Sequence, residues 1–85
     1  MIMDSLKEAL DSEYNWPAAY TFKFVVPKAK KQELESFFPS QLVEWKDSRT
    51  GKYVSLTCTQ TMLSSDAVLE IYKEVKEQIP EAIGL

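Results

Sequence analysis

Eighty-five residues with a net charge of −3 and a pI near 4.9 are sized for one domain, residues 1–85. The sign of the charge speaks against a nucleic-acid module, which needs a basic surface to release counterions from phosphate. The chain has no histidine and one cysteine, Cys58, which excludes Ser-His or Cys-His nucleophilic catalysis, the common zinc sites and an internal disulfide.

An apolar fraction of 45% with 12% aromatics belongs to a chain that folds. No apolar run is long enough to span a membrane, and Met1-Ile-Met-Asp-Ser-Leu-Lys-Glu8 has acids where a signal peptide needs an apolar core. The expected location is the cytoplasm. Cys58, mid-strand among apolar neighbours, reads as a small buried hydrophobe.

Ser5-Leu-Lys-Glu8 has the spacing of a capping box, and Leu6, Ala9, Leu10 and Tyr14 follow at helical intervals. Residues 1–15 therefore read as a lead-in helix, docked or flexible, before a core of residues 16–85. Asn15 offers a left-handed exit and Pro17 blocks continuation. Tyr20, Phe22, Phe24 and Val26 alternate with Thr21, Lys23 and Val25, the pattern of a strand with one buried face, ended by Pro27. Residues 28–38 read as a helix with Leu34, Phe37 and Phe38 inward and Pro39 as its stop.

A second strand is expected over 41–47, with Val43 and Trp45 on one side and Leu42, Glu44 and Lys46 on the other; either side could face inward. Asp47-Ser-Arg-Thr-Gly51 reads as a hairpin turn closed by a left-handed glycine. Over 52–62, Val54, Leu56 and Cys58 point one way while Tyr53, Ser55, Thr57, Thr59 and Thr61 point the other. Ser64 or Ser65 caps a helix whose stripe is Val68, Ile71, Tyr72, Val75 and Ile79; Pro80 ends it, and residues 82–85 suffice for a short edge strand. The order β-α-β-β-α-β, with right-handed crossovers, predicts an α+β ferredoxin-like sandwich: a four-stranded antiparallel sheet with two helices on one face, plus the short N-terminal helix.

Three places could carry function. The first is the uncovered sheet face, where Tyr53, Ser55, Thr57 and Thr59 lie beside Lys23 and Val25; it is flat enough to pair with a partner or another copy. RNA-recognition modules share the topology, but their third strand stacks bases on two aromatics two residues apart, and Ser55 stands where the second should be. The second is Lys28, Lys30 and Lys31 at the start of a helix, where they oppose the dipole and could hold an anion, or simply pair with Glu33 and Glu35. The third is enzymatic. Acylphosphatases of this fold need an arginine in the loop after the first strand, where this chain has Pro27 and Lys28; its sole arginine is Arg49. Glu70, Glu74 and Glu77 alternate with Lys73 and Lys76 as a solvated helix face, not an acid/base pair. No catalytic residue, metal or cofactor is expected.

Trp16-Pro17 ahead of Tyr20-Thr-Phe-Lys-Phe-Val-Val-Pro27, then Ser48-Arg-Thr-Gly-Lys-Tyr-Val-Ser55 and Val68-Leu-Glu-Ile-Tyr72, resemble the YbeD-like family of small bacterial proteins of unknown function. That resemblance implies a likeness to ACT domains, ferredoxin-like modules that bind small effectors and pair through sheets or helices. ACT effector sites generally use a glycine between the first strand and first helix; here the turn is Pro27-Lys28-Ala29, so no ligand residues carry over. The expected role is a non-enzymatic regulatory or protein-interaction domain, self-associating through its sheet face or edge. The alternatives are a sensor of a small anion or amino acid near Lys23 and Lys28, and an RNA-binding module.

Overall fold

A computed structural model describes the backbone from Ile2 and the side chains from Ser5 onward. The elements are α1 (Ile2–Glu13), β1 (Ala18–Pro27), a 3₁₀ turn at Lys28–Lys30 leading into α2 (Lys31–Glu35), β2 (Val43–Asp47), β3 (Tyr53–Met62), α3 (Ser65–Gln78) and β4 (Ile83–Gly84). The sheet order is β2-β3-β1-β4, with every pairing antiparallel. This is the ferredoxin-like α+β arrangement.

β1 and β3 pair along their whole length, from Ala18 opposite Met62 to Pro27 opposite Tyr53. Since facing residues share a side of the sheet, the even positions of both strands meet under the helices. Phe22, Phe24, Val26, Val54, Leu56 and Cys58 are buried there, with Leu34, Phe38, Val68, Val75 and Ile79 supplied from above. Each such burial contributes about 1.5–3 kcal/mol against leaving the side chain exposed. Leu69 and Met62 also join the core. Tyr20, half-buried at the edge of this layer, donates or accepts a 2.9 Å hydrogen bond with the Tyr72 hydroxyl. Burial, then that bond, pushes the Tyr72 hydroxyl pKa up.

The second strand settles its facing. Val43 lies opposite Cys58 and Trp45 opposite Leu56, so both are on the helix side, half-buried against the core. The strand starts at Val43 and not at 41 because Ser40–Leu42 forms a 3₁₀ turn, with Leu42 N–H donating to Pro39 C=O at 3.0 Å. Gly51 takes φ +75° in the hairpin, as its turn chemistry requires. Gly84 serves a different need: a Cβ there would lie 3.1 Å from Cε1 of Tyr72, so any side chain would have to push that ring aside by a few tenths of an ångström.

The helix expected over 28–38 is shorter and broken. Its lysine-rich start has no side-chain cap and no acid in the 3₁₀ turn, so the first residues stay 3₁₀. At its other end Phe37 and Phe38 bond three residues back, to Leu34 and Glu35. Phe37 is only partly buried. α3 by contrast has a full cap: the Ser64 hydroxyl accepts from Ala67 N–H at 3.1 Å, and Asp66 sits in the first turn.

The lead-in helix is ordered and docked, but the capping box is not its start. α1 begins at Ile2, and with no proline or glycine in this stretch nothing halts the helix ahead of Ser5. Nor does Asn15 turn left-handed, since among the described residues Gly51 alone has a positive φ. The exit is held instead by Trp16, whose indole N–H donates to Asp11 at 2.9 Å and whose ring stacks on Tyr14 at 5.2 Å. Leu10 is buried, and Lys7 donates to Ser65 Oγ (3.1 Å) and Asp66 (3.0 Å), tying α1 to the start of α3. The Ser65 hydroxyl, and after it the Trp16 indole, hold the Asp11 carboxyl below the usual carboxylate range.

Two outcomes follow from this packing. Leu56→Ala should cost about 2–5 kcal/mol in urea unfolding, whereas Thr57→Ala, on the opposite side, should stay within about 1 kcal/mol. The lowered Asp11 pKa makes its contribution present above the unfolded carboxylate value of about 4 and lost as pH falls through the folded one. Acidification below about pH 4 should therefore free the Trp16 indole proton in NMR spectra before the sheet unfolds, and Asp11→Asn should abolish that step.

Candidate functional site

The face of the sheet opposite the helices carries the odd positions of β1 and β3. Pairing puts Lys23 opposite Thr57, Val25 opposite Ser55 and Thr21 opposite Thr59. Beyond β3 they continue to Glu44 opposite Thr57 and Lys46 opposite Ser55. On the other side Ile83 lies opposite Val25. The six residues expected on this face, Lys23, Val25, Tyr53, Ser55, Thr57 and Thr59, thus share one surface and neighbouring rows. The hydroxyls partly satisfy one another: Thr21 and Thr59 lie 2.8 Å apart, and Ser55 donates to Lys46 C=O at 3.4 Å.

The face is not uniformly polar. At one end Tyr53 is 48% exposed and Ile83 56% exposed beside half-buried Val25; Leu85, two residues past Ile83 and 69% exposed, donates its N–H to Lys23 C=O. Tyr53, Val25 and Ile83 form an apolar corner across three strands toward the hairpin end of the sheet, and Leu85 follows beside Lys23. Reading the sequence missed Ile83 and Leu85 as members of the face. Alternation in a two-residue strand is too short a signal, and only its register against Val25 reveals the side it takes.

A shallow depression of about 310 Å³ opens on this face beside the hairpin, lined by Val25, Lys46, Ser48, Arg49, Tyr53 and Ser55 among others. A wider, open one of about 500 Å³ lies on the helix side among Glu33, Phe37, Glu74 and Glu77. Among the described residues, no three acidic or thiol groups come together as a metal site. Burial raises the Cys58 thiol pKa, which keeps it protonated and a poor nucleophile.

The lysines at 28, 30 and 31 do not assemble a cradle. Lys30 reaches Glu33 at 3.5 Å, and the Lys31 ammonium lies 5.0 Å from the centre of the Trp45 ring. Lys28 is exposed in the 3₁₀ turn, and the helix that follows has only five residues, too short for a developed dipole. None of the three lines the depression by Arg49 and Lys46.

These motifs sit inside a recognisable family. A family described as "Protein of unknown function (DUF493)" matches residues 11–80. The chain belongs to the DUF493 family. This is the YbeD-like family that the Trp16-Pro17, Ser48–Ser55 and Val68–Tyr72 segments resemble. Neither a curated protein nor a solved structure matches the chain. The matched span of this DUF493 protein takes in α3 and the whole β1–β3 platform but stops short of β4. No helix among the described residues is long and apolar enough to cross a membrane.

Proposed function

We propose that this DUF493 protein is a non-catalytic, regulatory or interaction domain of the bacterial cytoplasm that docks a protein partner on the open face of its sheet. One observation carries the reading: Tyr53 on β3, Val25 on β1 and Ile83 on β4 leave apolar surface, about half exposed at Tyr53 and Ile83, on a sheet face that no helix covers. A fold that buries Val26 and Val54 completely elsewhere leaves this corner to solvent. Clustered exposed apolar groups rimmed by polar ones are the usual mark of a docking site. The rim here is Lys23, Thr57, Thr59, Glu44 and Lys46. As a base-stacking platform the face offers one ring, Tyr53, which favours a protein over RNA.

The depression beside the hairpin favours a second reading, a small anionic effector held by Lys46 and Arg49 with its apolar part against Tyr53 and Val25. The ammonium and guanidinium would supply charge-assisted bonds to a carboxylate or phosphate.

Ile83→Glu and Tyr53→Asp should leave the melting temperature within a few degrees of the parent and abolish capture of the cognate partner from host lysate. Glu70→Lys, on α3, should leave capture intact; loss with all three, or with none, would remove the face from consideration. For the effector reading, a panel of carboxylates and phosphates should raise the melting temperature by mass action, and Arg49→Ala should erase the rise. A flat response across the panel would dismiss it.

A further inference from the structure

We propose that a second copy of this chain pairs with the outer edge of β2, antiparallel and with Trp45 on the two-fold axis, so that two sheets join into one. The inference rests on reading the chain as an interaction module and names one of its partners. Ser48 N–H donates to Tyr53 C=O at the hairpin end of the β2–β3 ladder. Alternation along an antiparallel pair then turns Lys46 and Glu44 toward β3, and the N–H and C=O groups of Val43, Trp45 and Asp47 outward. None of the hydrogen bonds among the described residues reaches these outward groups.

Edge strands that avoid partners are very short or carry a proline, a bulge, a covering element, a charge turned toward the core, or charged side chains that repel a neighbour. In β2 the exposed Glu44 and Lys46 are of opposite sign and can complement those of a second copy. β2 is Val43-Glu-Trp-Lys-Asp47, without proline, and its register against β3 is unbroken. Its inward side carries Val43 and Trp45. The opposite edge of the sheet is the two-residue β4, which offers far less backbone to extend.

Charge selects the register. With Trp45 opposite Trp45 of the second copy, Glu44 faces Lys46 of that copy and Lys46 faces its Glu44. Both pairs fall at non-hydrogen-bonded positions, where facing side chains stand closest. A slip of two residues either way opposes Glu44 to Glu44 or Lys46 to Lys46, which is destabilising. The favoured register therefore gives two opposite-charge pairs and about six backbone hydrogen bonds, and keeps both helical layers on the same side. It also makes the two open faces one continuous surface.

Sedimentation equilibrium at chain concentrations up to about 1 mM tests this, since weaker pairing would carry little free energy. Wild type should self-associate, and the amides of Val43, Trp45 and Asp47 should exchange more slowly as concentration rises. Glu44→Lys alone and Lys46→Glu alone should each weaken self-association by about tenfold, replacing attraction with repulsion in both pairs. An equimolar mixture of the two single variants should pair as well as wild type, and so should the doubly exchanged chain. Both side chains are exposed, so the variants keep the fold, which their melting temperatures will register. A wild type that stays monomeric, single variants that associate undiminished, or a mixture that fails to recover would each overturn the proposal. Ile83→Glu and Tyr53→Asp leave this edge untouched. If they still abolish partner capture while the charge exchange has no effect, self-pairing falls and the interaction reading stands.

Discussion

The full-length antiparallel pairing of β1 with β3 is the constraint on which the rest of the molecule depends. Ten residues of each strand face one another without a bulge, so one choice of register decides the side taken by twenty side chains. With Phe22 opposite Cys58, Phe24 opposite Leu56 and Val26 opposite Val54, every central pair on the helix side is apolar. A slip of one residue in β3 would place Ser55, Thr57 and Thr59 beneath the helices, and one in β1 would place Lys23 there, at the cost of burying hydroxyls or an ammonium without partners. The core and the open face are two consequences of the same alternation. Neither could be changed without the other.

Around that pair the remaining elements are held by contacts of very different kinds. α3 is fixed by apolar burial through Val68, Val75 and Ile79 and begins at a capped serine. α1 is fixed mainly by polar contacts, Lys7 to Ser65 and Asp66, and Trp16 to Asp11, around one buried leucine. β4 is held by its short pairing with Phe24 and Val25 and by Lys76, whose ammonium donates to Pro80 C=O and Ala82 C=O at 2.7 and 3.0 Å. That lysine satisfies the carbonyls past the helix end where no further helical amide can reach. The positions of Ile83 and Leu85, and hence the apolar corner, depend on this chain of small contacts.

What could be read from the residues alone divides along physical lines. Two-residue alternation over long strands located β1, β3 and their buried sides, because Tyr20, Phe22, Phe24, Val26, Val54, Leu56 and Cys58 all fall on one parity. Turn and cap chemistry located Gly51 and narrowed the α3 cap to Ser64 or Ser65, because few residues tolerate those conformations or offer those oxygens; the structure makes it Ser64. Features that depend on long-range or weak signals escaped. The side of β2 hinges on the register that brings Trp45 opposite Leu56, a long-range fact. The break after Lys30 reflects the absence of a cap, and an absence is a weak signal beside the helical spacing of Leu34 and Phe38. The start of α1 lies ahead of Ser5 because a capping box can also lie inside a continuous helix. The candidate face was legible in its β1 and β3 residues, Val25 and Tyr53 included, and not at the β4 side, where Ile83 takes its facing from a two-residue strand.

The distribution of polarity across the open face argues for recognition by another surface over capture of a buried ligand. A pocket that engulfs a small molecule needs walls, and this sheet supplies walls only at the hairpin, where Ser48 and Arg49 rise beside Tyr53. Elsewhere the threonine rows are flat, and Thr21 and Thr59 already bond to each other, so they present methyl groups and shared hydroxyls with little unmet demand. Such a surface loses little on desolvation, and a partner gains area on it without needing an exact polar match. The apolar corner can then act as the anchor, with Lys23, Glu44 and Lys46 setting orientation from the rim. A sheet built this way turns a single alternation pattern into both a dry interior and the open plane on which docking is proposed.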